Sequence, residues 1–414
     1  MARGKAFSAL KNQAFRWLFI SQTAFFLTMQ GQVLVRSMLT YELTGSAISL
    51  GLVNFAVAVP MLLVGPWGGV IADRIERRRL LLIGTGALIC SESIVLLLFL
   101  SGLLQLWHLL LSAVVIGSVL PLLMPAQSAM MVDAVGKRDL QNALALSMGA
   151  NSATRIVGPT LSGFLVAALG ISGAYAVGVG LYLLSLIAII PVKRNKTSRD
   201  VAATNALADL LEGVRYVRDN RLVLQLLLLG IIPLFLVAPF QQLLVVFTES
   251  VWDVGSQGLG LLYAISGVGG VLGSIYVARL PQQHARLRLM TLTLVGLALF
   301  LAAFALSPWF LLAVPLALAA NACTTVFTAV NNASIQILVP DDVRGRVSSF
   351  MLMSFSVTPL GTLPMAWVAE HYGAPVAVAG ASGLVLLVVA VFVLLSRTLR
   401  KLDLRVEEAL HHQN

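Results

Sequence analysis

The sequence predicts an all-α membrane protein whose twelve transmembrane helices form two six-helix, pseudo-symmetric halves. Three observations carry that prediction. Hydrophobic residues make up 58% of the 414 positions and charged residues only 11%, whereas a soluble globule is roughly one-quarter charged. Apolar runs long enough to cross a bilayer, which takes about 20 residues, recur along the chain. The connections between them alternate. One set is basic, and the other, near Glu42, Gln105, Gly170, Asp253, Ser307 and Glu370, has no Lys or Arg. Short loops that keep Lys and Arg face the cytoplasm. Both termini are therefore expected there, in agreement with an even number of crossings.

In order, the first six spans are expected at about 15–40, 47–73, 79–102, 106–131, 141–169 and 172–192. The first follows Arg3, Lys5, Lys11 and Arg16; it exceeds a signal-peptide core and lacks a clear cleavage site. The second runs from Gly45-Ser46 to Arg74, and Arg77 to Arg79 precede the third. The fourth returns to Lys137 and Arg138, the fifth contains Gly158-Pro159, and the sixth ends before Lys193. The second set is expected at about 221–250, 257–279, 286–306, 309–336, 346–370 and 374–397. Basic residues again mark every other end, at Arg221, Arg279 to Arg288, Arg344 with Arg346, and Arg397 to Arg405.

Residues 1–192 are thus expected to form the N-terminal half and 221–397 the C-terminal half, with 398–414 a cytoplasmic tail. Between them, 193–220 starts polar and then places Leu207, Leu210, Leu211, Val214 and Val217 at helical spacing. That pattern predicts an amphipathic helix on the cytoplasmic membrane face. The halves also echo each other. Gly45-Ser46 with Leu50-Gly51-Leu52 opens the second span, and Gly255-Ser256 with Leu259-Gly260-Leu261 opens the eighth. Two parallel halves related by an axis along the membrane normal would leave such a trace, with a substrate site between them.

Several functions are excluded or disfavoured by composition. The formal charge of +10 is dispersed over the loops as orientation signals beside anionic lipid, so no nucleic-acid partner is expected. Cys90 and Cys323 both lie in apolar spans, which leaves no disulfide framework or Cys-rich metal site. No phosphate-binding loop appears: Gly136-Lys137 is followed by Arg138. No enzyme, metal or cofactor is expected.

The segment GVIADRIERRR from Gly69 to Arg79 resembles the loop between helices two and three of the major facilitator superfamily. Gly69, Asp73, Arg74, Arg77 and Arg78 match that family's pattern in register, while Glu76 replaces a second glycine. The resemblance implies a gate: Asp73 caps helix eleven, and the arginines pair with acids such as Asp133 to latch the cytoplasmic side. Gly149, Gly158, Pro159 and Gly163 in the fifth span are similar to the antiporter motif of exporters in this superfamily, with Ser162 replacing one glycine. Leu43 to Ser46, Arg155 to Pro159 and Val339 to Arg346 resemble the enterobactin-exporter and macrolide-efflux branch. The fourth span has no arginine, so the family's usual proton-coupling residue there is missing.

Ionisable residues within spans are costly and usually mark a pathway. Arg36 is expected near the external end of the first helix, snorkelling outward or joining an external gate. Glu92 is the candidate proton-accepting carboxyl. Arg155, near mid-membrane, is expected to bind an anionic group or to pair with Glu92. Gln30, Asn151 and Gln241 are the amides favoured for substrate contact, on helices that line the family's cavity. Phe25, Phe26, Tyr263 and Phe327 are the aromatic candidates.

The expectation is a monomeric carrier in a bacterial inner membrane, exporting a small amphipathic siderophore or drug-like molecule, with protons as coupling ion. Uptake, a lysophospholipid-type carrier and a non-transporting sensor are the alternatives.

Overall fold

In hydrocarbon every backbone N–H and C=O must be bonded within its own segment, which selects helices. The computed structural model describes residues 8–192, 215–281, 285–340, 343, 347, 358–396 and 398–413, with side chains except at 8, 66, 68–70, 72–74, 137–138, 359 and 409–413. Among the described residues every regular element is helical. The first helices are α1 (Gln13–Thr44), α2 (Ala47–Arg74) and α3 (Arg77–Leu100). One hydrogen-bonded run, Leu106–Ile189, follows; left-handed glycines break it at Gly136 (φ 66) and Gly170 (φ 72). Its three segments are α4 (Leu106–Gly136), α5 up to Gly170 and α6 beyond it.

The later spans are α7 (Arg221–Val251), α8 (Gly255–Ala278), α9 (Arg286–Ala305) and α10 (Phe310–Leu338), then α11 (Thr358–Tyr372) and α12 (Ala374–Leu395). With the long run divided, these make the expected twelve. The eleventh is described only over its C-terminal part. The linker's expected amphipathic helix falls mainly on 193–214, outside the described residues.

Two compact units emerge. One contains Met1–Arg199 and Val254–Ala264, the other Asp200–Asp253 and Ile265–Asn414. The opening of α8 thus belongs with the first unit. The sequence echo is also a conformational one: Gly45 (φ 62), just before α2, and Gly255 (φ 60), the first residue of α8, both turn left-handed. An L side chain rarely adopts that geometry, which glycine reaches without strain.

In the first unit, Phe25 stacks on Phe26 and Tyr182 in a core completed by Leu81, Leu88 and Leu123. Phe25, Phe26 and Phe327 are buried, which corrects the expectation that these rings face ligand or lipid. Their area instead fills the helix bundles. Outward positions such as Leu311 (83% exposed) remain apolar, as a lipid-facing surface requires.

The second unit carries two features invisible in the apolar pattern. α7 contains π-helical segments, Pro233–Val237 and Phe247–Val251, on either side of the regular stretch Phe240–Val246. Pro233 and Pro239 have no N–H to give an α-type ladder, and Ala238 instead bonds the Pro233 carbonyl at 2.8 Å. The tail forms a further helix, α13 (Leu402–Gln413), with Leu399, Leu402 and Val406 buried. Asp403 there accepts from the Arg286 N–H at 2.8 Å and the Leu287 N–H at 3.3 Å, capping α9 from elsewhere in the chain. Replacing Asp403 with alanine is expected to lower stability by about 1 kcal/mol, as loss of an N-cap does. Unchanged thermal unfolding of the purified Asp403→Ala variant would remove that role.

Candidate functional site

Arg36, Glu92, Ser112 and Tyr175 come from four different helices, α1, α3, α4 and α6. They meet inside the first unit. The Glu92 carboxylate is fully buried and accepts three hydrogen bonds. Arg36 donates to Oε1 as a salt bridge, Tyr175 donates its phenol proton to Oε2, and Ser112 donates to Oε1 at 3.2 Å. Glu92 lies ~22 Å along α3 from Arg77, at 1.5 Å per residue, so the cluster sits in the half of the bundle away from the basic loops.

A lone carboxylate would not tolerate this depth. Moving an ion out of water costs several kcal/mol even after relaxation, and a partner compensates only with good geometry and further hydrogen bonds. Glu92 has both. Arg36 keeps one buried donor, Nε, that finds no partner.

Two expectations are corrected here. Arg36 does not snorkel outward: its side chain is 12% exposed and turned onto Glu92. Nor does Arg155 pair with Glu92. Arg155 lies on the exposed side of α5 and has no hydrogen-bond or ion-pair partner among the described residues. The reason is registry: the twist of α1 brings residue 36 over α3, a relation between helices that spacing along one helix does not reveal.

The α5 glycines do two different jobs. A Cβ on Gly158 would lie 2.9 Å from Gln30 Cβ and 3.0 Å from the Leu27 carbonyl, so α1 and α5 touch backbone to backbone here. A Cβ on Gly31 would in turn collide with Ser162 Oγ and lie 3.2 Å from the Gly158 carbonyl. A Cβ on Gly163 would lie 2.7 Å from the Cα of Gly260 at the start of α8, within the same unit. Pro159 is buried between them. Gly149, by contrast, has nothing within 4 Å. The close approach is therefore made by Gly158 and Gly163, not by the motif's first glycine.

At the basic end, Arg77 pairs with Asp133 at 2.6 Å, as the sequence suggests. Arg78 instead donates to the carbonyls of Ile189 and Ile190 (2.6 Å), where α6 leaves its last acceptors open. The side chains of Asp73 and Arg74, and the surroundings of Gly69, lie outside the described residues, as do 344–346 and 348–357, where Asp73's expected partner falls. The Arg77–Asp133 pair is about 30% exposed on each side, and pairs of that kind contribute only about 0–1 kcal/mol. It suits a contact that must break.

Among the amides, Gln30 and Asn151 are half-buried on α1 and α5. Gln241 lies in the regular turn between the two π segments of α7. Asn54 and Asn321 bond carbonyls of their own helices, while buried Asn331 bridges α10 to the Leu226 carbonyl of α7 at 3.2 Å. Ser112 and Tyr175 were not legible as site residues. A hydroxyl in a span usually bonds its own helix, as Thr28 and Ser382 do here. No group of three or more His, Cys, Asp or Glu able to hold a metal occurs among the described residues.

The transmembrane secretion effector family matches residues 4–414. Among curated proteins, the chain is similar to the staphyloferrin A transporter of Staphylococcus aureus, at 23% identity over 88% of this chain and 91% of that protein. It is similar to the enterobactin exporter EntS of Escherichia coli at 26% identity, over 86% and 82% respectively. A match to the uncharacterized transporter YfiS of Bacillus subtilis, 25% identical, spans 59% of this chain and 58% of that protein. Among solved structures, the nucleoside transporter NupG superposes with a TM-score of 0.73 at 14% identity, over 92% of this chain and 98% of that one. A bacterial homolog of the lysosomal transporter Spinster, crystallised inward-facing and unoccupied, gives 0.65 at 15% identity, over 96% and 97%.

Proposed function

Because the chain belongs to the transmembrane secretion effector family of major facilitator transporters, we propose that it exports a small amphipathic molecule of siderophore type in exchange for protons. Its place in this reading is a bacterial inner membrane, with both termini cytoplasmic, acting as a monomer. The observation that carries the proposal is the buried Arg36–Glu92 pair with Tyr175 and Ser112. A bundle held only by packing has no need of an ion pair, and ionisable groups at this depth usually serve an ion or substrate path.

In the mechanism proposed, Glu92 carries the coupling proton and Arg36 answers its charge. Protonation of Glu92 would release the guanidinium, and deprotonation would draw it back. Tyr175 and Ser112 hold the carboxylate in place in both states. Arg155, exposed within an apolar span, is the residue assigned to an anionic group of the cargo, and Gln30, Asn151 and Gln241 are the amides assigned to its polar groups. The α5 glycine contacts with α1 and α8 provide the close surfaces on which helices rock. Asp73, Arg74, Arg77 and Asp133, with Gly69, form the cytoplasmic latch. The direction follows one relative, the enterobactin exporter EntS, and the siderophore class follows both it and the staphyloferrin A transporter.

Siderophore efflux from cells overexpressing the chain, with and without a protonophore, tests the coupling. Efflux should collapse with the gradient, and efflux that persists would overturn it. Arg155→Ala is expected to reduce efflux roughly tenfold to a hundredfold, the value of a hydrogen bond to a charged group, at unchanged membrane abundance. A full rate in that variant would remove Arg155 from the path.

A further inference from the structure

We infer that the basic-loop end of the second unit holds a site for a phosphate group, the chemistry shared by anionic phospholipid headgroups and free phosphate. A cavity of about 920 Å³ opens where α7 begins, α10 ends and the tail crosses beneath α12. Three cations line it, Arg221, Lys401 and Arg405, together with the neutral donors Asn220 and Thr398. Leu222 and Leu338 add apolar surface.

Two carboxylates also border the cavity, and each has an arginine beside it. Glu408 is 3.3 Å from Arg405, and Asp219 is 3.8 Å from Arg218. The side chains of Arg221 and Lys401 have no hydrogen-bond or ion-pair partner among the described residues. They are the cations left for a bound anion.

The level of the cavity favours a lipid source. The apolar span of α7 starts at Arg221 and that of α12 stops at Leu395, so the opening lies at the edge of the hydrocarbon, where phosphodiesters reside. Leu394 and Leu395, at the end of α12, are 68% and 75% exposed, a surface for acyl chains. Lys401, just before α13, and Arg405 and Glu408 along it share one face by helical spacing, while Leu402 and Val406 are buried against the rest of the unit. The tail helix is thus held by the protein with its charged face lining the cavity. Orientation signals alone explain cations on this side. They do not explain cations from the start of α7 and from the tail converging on one cavity with neutral donors between them.

Native mass spectrometry of the full-length protein, released from detergent with equal dioleoyl phosphatidylglycerol and phosphatidylcholine, tests the site. The wild type should retain phosphatidylglycerol preferentially. Arg221→Ala combined with Lys401→Ala should reduce that retention by roughly tenfold or more, the effect of two interfacial cations. Inorganic phosphate in a separate arm distinguishes the sources. A phosphate adduct that displaces phosphatidylglycerol assigns the site to free phosphate, and lipid retention without an adduct assigns it to the headgroup. Lys401→Gln, which keeps the stem of the side chain, covers the case in which the double variant misfolds and should lose several-fold. Equal retention of both lipids by the wild type with no phosphate adduct overturns the site. So does unchanged phosphatidylglycerol retention in a folded variant.

Discussion

Replacing Glu92 by alanine is expected to cost about 3–5 kcal/mol of stability, because it leaves the Arg36 guanidinium buried without its counter-charge. The folded fraction recovered in detergent should fall sharply. Glu92→Gln should do nearly as much harm, since an amide still accepts from Tyr175 and Ser112 but carries no charge. The informative variant is the double replacement, Arg36→Leu with Glu92→Leu. Removing both ions of a buried pair is often neutral or stabilising, so this protein should fold like the wild type. If the pair serves only packing, the double variant will also transport normally. The proposed coupling predicts instead that it folds and has lost proton-dependent efflux. Normal proton-driven efflux in the double variant would sink the role given to Glu92.

The second large effect is expected on α5, where three glycines of one motif should respond differently. Gly158→Ala inserts a methyl 3.0 Å from the Leu27 carbonyl and 2.9 Å from Gln30 Cβ. Backbone cannot retreat as a side-chain tip can, so α1 and α5 must separate, at about 1–3 kcal/mol. Gly163→Ala meets Gly260 Cα at 2.7 Å and the Ser256 carbonyl at 3.0 Å, with a similar cost and a stronger effect on transport. Gly149→Ala meets nothing and gains up to about 1 kcal/mol of helix propensity. Thermal unfolding of the three variants, side by side, checks the order. Equal responses at 149 and 158 would contradict the backbone contact between α1 and α5.

The contrast among these glycines shows where legibility stops. The motif on α5 could be read from residue types and their order, because glycine and proline in a span are unusual enough to notice. Its division of labour could not. Whether a glycine meets a neighbour depends on which face the crossing helix covers, and that is fixed by helices far away in the sequence. The same holds for Asp403. In sequence it is one of the tail's acids, with Glu407 and Glu408, and only the folded second unit sets it on the open N–H groups of α9.

The charged residues make the point most directly. By itself the sequence determined the class, the number of spans and which loops share a side, because these follow from the local cost of burying polar groups in hydrocarbon. It also identified Arg36, Glu92 and Arg155 as the exceptions to that cost, while the resemblance to a known family offered Asp133 to the arginines after α2. Only the tertiary structure decided that Glu92 belongs to Arg36 and that Tyr175 and Ser112 complete it. It likewise left Arg155 exposed, with no hydrogen-bond or ion-pair partner among the described residues. Insertion energy is summed along the chain and can be read there. Pairing is a matter of distance between helices, and a salt bridge in a low-dielectric interior forms only where the packed bundle brings its two ends together.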